Sequence, residues 1–166
     1  MVQSQEWKTA LRTAHKSELL AVSALEQLVT TMQSRDPRQV LSTSLDVHTK
    51  HAELLASLLD SSQTEDVTIP VRLGTMLAKK NVPERMLFAW LHEFESRLLE
   101  HYEETIATCR EAEQKQMFEK LVAEQQNLVE TTWDVTQRLT AVIDPAFWDD
   151  LAETTTSGGH DGTSES

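Results

Sequence analysis

Stripes of residues at 3-4 spacing run through this chain, and the charges set into them limit what it can fold into. One stripe is Leu11, Ala14, Glu18, Ala21, Leu25, Leu28 and Met32; a second is Phe88, Leu91, Glu95, Leu98, Tyr102, Thr105 and Cys109. That spacing puts the side chains on one face of an α-helix, the face it buries against its neighbours. A single glutamate breaks each stripe at the matching place. Burying an unpaired carboxylate costs on the order of several kcal/mol, so each glutamate needs a partner, a proton or a cation.

Two further stripes supply candidates. Leu41, Leu45, His48, Ala52, Leu55 and Leu59 form one, with His51 a turn beyond His48. At i, i+3 both imidazoles point to one side of a helix. The other admits two registers, one through Met117, Leu121, Glu124, Leu128 and Val135, the other through Phe118 and Val129. Glu124 and Asn127 repeat the i, i+3 relation of the two histidines.

The punctuation fits helices. All four prolines stand where a helix can begin, and only one of the four glycines, Gly74, precedes the C-terminal tail. Asp36-Pro37 and Asp144-Pro145 pair an N-cap residue with proline at the first helical position, and Pro83-Glu84 opens an acidic first turn. The pattern predicts helices over about 4–34, 37–61, 83–111 and 114–143, a polar loop at 62–70 and a short linking helix at 70–80. Residues 144–152 read as a short amphipathic turn carrying Phe147 and Trp148, and the Thr, Ser and Gly-rich tail 153–166 as disordered. Short connections make the first and last pairs antiparallel hairpins, and the long middle connection makes a crossover. The expected fold is all-α: one domain over 1–152, a four-helix bundle of two hairpins.

The 166 residues carry a formal charge of -12, with 15 Lys and Arg against 27 Asp and Glu. Nucleic acids and anionic bilayers reward clustered basic residues, so neither is an expected partner. Cys109 is the single cysteine, which leaves no intramolecular disulfide and no cysteine-based zinc site. The N-terminus MVQSQEWKTA shows no signal-peptide pattern, and no apolar run reaches membrane-spanning length, so a cytoplasmic location is expected.

The halves also correspond. A shift of 77 residues carries His15 onto His92, Glu18 onto Glu95 and Glu26 onto Glu103, with Leu11, Leu25 and Val29 falling on Phe88, Tyr102 and Ile106.

On these residues the chain resembles the ferritin-like superfamily, especially rubrerythrin-type four-helix bundles, over about residues 7–143. That family holds two irons with a Glu on helices 1 and 3 and a Glu-x-x-His on helices 2 and 4. The segment D-V-H-T-K-H-A-E-L-L looks like the family's helix 2 and places His51 at its ligand histidine. Glu18 and Glu95 match the single glutamates, and A-E-Q-K-Q-M-F-E-K-L-V-A-E-Q-Q-N looks like the approach to the second motif. Two positions depart: His48 stands for the first Glu, and Asn127 for the last His. The resemblance therefore implies a metal set of Glu18, His48, His51, Glu95 and Glu124, with His15, His92 and Asn127 as extra ligands or outer hydrogen-bond partners. It implies iron, one or two ions, with manganese or zinc chemically compatible, and a role in iron handling or the response to oxidative stress. Rubrerythrins also use a Cys-rich electron-transfer domain, which a single cysteine does not provide.

Other readings stay open. The glutamates and histidines can satisfy one another in a metal-free polar core, or face outward. A non-enzymatic interaction protein fits the scattered tryptophans and a partner docking on the C-terminal segment; a homodimer is compatible with either class. Hemerythrin-type His spacings are absent, and A-H-K-S-E-L-L lacks the Lys-Gly pair of a phosphotransfer histidine.

Overall fold

The computed structural model describes residues 5–59, 71–79 and 82–141. These form five helices: α1 (Gln5–Thr31), α2 (Arg35–Leu58), α3 (Val71–Ala78), α4 (Glu84–Thr108) and α5 (Ala112–Ala141). The protein is all-helical, with no strand among the described residues. No helix among them is long and apolar enough to cross a membrane. The loop expected at 62–70, the turn with Phe147 and Trp148, and the tail lie outside the described residues.

The four long helices begin and end within three residues of expectation, and the differences have local causes. Ser34, extended at φ -71° and ψ 133°, precedes α2, which starts at Arg35 and not at Pro37. Pro37 sits in the first turn, where its missing N–H has no helical acceptor to lose. The stripe of α1 runs on to Met32, whose N–H still reaches Leu28 O. The next two amides, of Gln33 and Ser34, donate to Glu84 Oε1 at the start of α4, both at 3.0 Å. Arg38 closes the same corner, its Nε and Nη2 donating to Met32 O at 3.0 and 2.6 Å. At the end of α4, Thr108 Oγ1 and Cys109 Sγ both bond to Thr105 O and draw the last turn to a close.

Packing follows the stripes. The most extensive contacts are α1 against α2 and α4 against α5; α1 also packs on α4, α2 on α5, and α3 on α4. The core falls into two apolar clusters. One, at the α3 end, includes Leu25, Leu28, Met32, Leu41, Leu73, Phe88, Leu91 and Val135. The other includes Trp7, Leu11, Leu55, Leu98, Tyr102, Phe118 and Leu121. Each large apolar side chain buried this way stabilises the fold by about 1.5–3 kcal/mol. Between the clusters every long helix contributes buried polar side chains: Glu18 on α1, Ser44, His48 and His51 on α2, Glu95 on α4, Gln125 and Thr132 on α5.

The inward face of α5 resolves the register left open by its sequence. Phe118, Leu121, Gln125, Leu128, Thr132 and Val135 are buried, while Glu124 is half-buried beside them and Asn127 is exposed.

Candidate metal centre

Glu18 stands at the middle of the polar layer, fully buried. Its Oε2 lies 2.5 Å from His48 Nδ1, its Oε1 lies 3.2 Å from His51 Nδ1, and the Tyr102 hydroxyl donates to the same Oε1. The two imidazoles turn their other nitrogens outward. His48 Nε2 meets both oxygens of Glu95, at 3.0 and 3.1 Å, and His51 Nε2 meets Glu124 Oε2 at 2.6 Å. Carboxylates and imidazoles therefore alternate in an unbroken line from buried Glu95 through His48, Glu18 and His51 to Glu124, whose side chain is 42% exposed.

Local helix geometry sets this line. His48 and His51 are one turn apart on α2, with ring centroids 6.1 Å apart and planes at 79°. Tyr102, two turns beyond Glu95 on α4, packs its ring edge-on to His51 and Phe118. Gln125 fixes the Glu95 end: its Nε2 donates to Glu95 Oε2 at 2.5 Å and to Glu95 O at 3.0 Å. The Gln125 Oε1 is buried with no hydrogen-bond partner among the described residues.

The charges reinforce one another. Burial pushes the Glu18 carboxyl up, but the charge and hydrogen bond of His48, joined by His51, outweigh it and hold the group down at about 2. Burial likewise disfavours the His48 imidazolium, yet the charges of Glu95 and Glu18 and their hydrogen bonds raise it to about 10. In Tyr102, burial and then the Glu18 charge push the phenol well above its ordinary value, so it remains a donor.

Glu18, His48 and His51 each offer one ligand atom, and these atoms lie within 4.8 Å of one another. Atoms on a common first-row ion stand at most about 4 Å apart, given bonds of roughly 2.0–2.2 Å. Carboxylate and imidazole together suit iron, manganese and zinc. The donor set therefore fits a divalent metal, and shifts of about an ångström bring its atoms within bonding range.

The other expected site residues fall in different places. Glu95 and Glu124 join the cluster through the outward nitrogens of His48 and His51 and do not stand among the three close donors. Asn127, expected as a ligand or outer partner, is exposed on α5, because the helix turns Gln125 inward in place of the 124/127 edge. His92 lies away from the cluster, its Nδ1 at 3.2 Å from Val129 O and 3.3 Å from Thr132 Oγ1, its ring 5.2 Å from Trp133. His15 is half-buried on α1 and makes no hydrogen bond to the cluster among the described residues.

Gln125 and Tyr102 are the participants the sequence reading did not assign. The 77-residue shift that carries Glu18 onto Glu95 also carries His48 onto Gln125. Each of these two residues donates to the seam glutamate of its own hairpin, so the correspondence contained the signal for Gln125. A groove of about 370 Å³ between α1 and α4, lined among others by Thr9, Thr13, His101 and Thr108, includes none of the cluster residues.

No family model, curated protein or solved structure matches the chain.

Proposed function

We propose that the chain is a ferritin-like four-helix bundle whose polar layer binds a divalent metal, iron foremost, in iron handling or the response to oxidants. The observation that carries this reading is the convergence of Glu18, His48 and His51 donor atoms within 4.8 Å, in a layer closed above and below by apolar clusters. Two hairpins with a glutamate on α1 and on α4, facing histidines on α2, support the family reading. A bound ion would supply redox or Lewis-acid chemistry at Glu18, His48 and His51. The chain's own groups would orient those ligands: Tyr102 restrains Glu18, Glu95 and Glu124 hold the two imidazoles, and the clusters limit water.

A metal-free polar core in a non-enzymatic interaction protein is the second reading. It is favoured by one observation: each carboxylate and each imidazole of the line already has a hydrogen-bond partner.

Anaerobic Fe(II) titration with metal analysis separates the two. The metal reading expects saturable binding that Glu18→Ala with His51→Ala removes. No metal above background in the unaltered chain would sink it.

A further inference from the structure

Building on the metal-binding reading, we propose that the centre is mononuclear, with Glu18, His48 and His51 as its protein ligands among the described residues. Glu95 and Glu124 are positioning residues that hold the two histidines from outside.

The orientation of the rings carries this. Both imidazoles face Glu18 with Nδ1, and each meets a separate carboxylate with Nε2. The two nitrogens of an imidazole point to opposite sides of the ring. A carboxylate held on Nε2 therefore stands across the ring from any ion bound at Nδ1. A neutral imidazole that donates from Nε2 presents a lone pair at Nδ1. An outer carboxylate on Nε2 fixes that tautomer and makes Nδ1 a better ligand.

Gln125 keeps Glu95 in this role. Its Nε2 holds both the side chain and the backbone oxygen of Glu95. Turning the amide over would set Oε1 against the carboxylate, so the orientation is fixed. The hairpins are unequal at the decisive position: His48 in the first corresponds to Gln125 in the second. A matching imidazole for a second ion is therefore missing where the internal correspondence would place it. Two histidines and one carboxylate with open positions is a donor set suited to mononuclear non-haem Fe(II). The outer carboxylates offset the charge such a set leaves on the ion.

The test loads the full chain anaerobically with Fe(II) and, separately, Zn(II), and measures ions bound per chain. The expected stoichiometry is one. Nitric oxide added to the Fe(II) form should give the electron paramagnetic resonance signal of an isolated high-spin ferrous nitrosyl. Glu95→Gln should weaken Zn(II) binding roughly 10–100-fold with stoichiometry unchanged, whereas Glu18→Gln should abolish it. Two ions per chain, a spin-coupled signal, or equal loss in Glu95→Gln and Glu18→Gln overturns the mononuclear assignment alone. Failure of the unaltered chain to bind either metal overturns the metal-binding reading as well. The stoichiometry and the nitrosyl signal are read on the unaltered chain, so the outcome does not depend on any variant folding.

Discussion

His48 Nδ1 and Glu18 Oε2, thirty positions apart in the chain, meet at 2.5 Å with both side chains fully buried. Removing Glu18 leaves the buried His48 imidazolium with Glu95 as its one remaining carboxylate and with Nδ1 unpaired. Such losses typically cost about 3–5 kcal/mol. Glu18→Ala is expected to destabilise the metal-free protein by about that much in urea denaturation. In a double-mutant cycle Glu18→Gln and His48→Gln are each expected to destabilise, and the double variant by less than their sum, since both act on one contact. Strict additivity would contradict the pairing.

The same pair predicts an optimum of stability in mildly acidic solution for the metal-free protein. His48 rises from 6.5 to about 10 on folding, so its stabilising proton is fully present below 6.5 and lost as pH rises through 10. Glu18 moves the other way, from 4.5 to about 2, so its contribution is complete above 4.5 and lost as pH falls toward 2. Each pH unit along either limb is worth at most about 1.4 kcal/mol. Denaturation midpoints across this range should show both limbs, and His48→Gln should flatten the alkaline one. A level midpoint from pH 6.5 to 10 would exclude a buried imidazolium.

Tyr102 is the sole tyrosine, so phenolate absorbance reports it alone. Burial and the Glu18 carboxylate hold its proton well above the ordinary tyrosine range. Alkaline titration should therefore show phenolate only as the protein unfolds. Tyr102→Phe removes the hydroxyl donor to Glu18 and is expected to cost about 1–3 kcal/mol in denaturation. A phenolate titrating at the ordinary value in folded protein would show that the hydroxyl does not face Glu18.

The helices and the polar layer were legible because both follow from one-dimensional patterns. The 3-4 stripe marked Glu18 and Glu95 as buried, and i, i+3 spacing put His48 and His51 on the same side. Periodicity was silent on rotation of α5 by one residue. Met117 and Phe118 are both apolar, and only packing against Tyr102 and Trp7 turns Phe118 inward. That rotation carries Gln125 to the layer, leaves Glu124 at its edge and sends Asn127 to solvent. Which nitrogen of each histidine faces which carboxylate is set by side-chain torsions, and no spacing rule encodes those.

The corner between α1 and α2 rests on a residue far along the chain. Glu84 Oε1 accepts from the amides of Gln33 and Ser34, fifty-one and fifty positions away. Opposed by slight burial, those bonds and Arg38 still hold the carboxyl below its ordinary range. Glu84→Ala is expected to cost about 1 kcal/mol, since the bonds are solvent-exposed. Hydrogen exchange at the Gln33 and Ser34 amides should accelerate, with the cluster amides unchanged. Unaltered exchange at Gln33 would remove Glu84 as the tie.

Metal binding and the His48 proton compete for one nitrogen. With its pKa raised to about 10, His48 carries protons on both nitrogens near neutral pH, and ligation through Nδ1 requires one to leave. Calorimetric titration with Zn(II) in buffers of different ionisation enthalpy is therefore expected to show proton release on binding. Affinity should rise with pH toward 10, because fewer protons remain to be displaced. At saturating metal the unfolding midpoint should rise, by about 2.7 kcal/mol of stability at a free concentration 100 times Kd. The alkaline limb seen in metal-free protein should shrink, since a ligated His48 no longer depends on its second proton. Binding without proton release would mean that the ion sits away from His48.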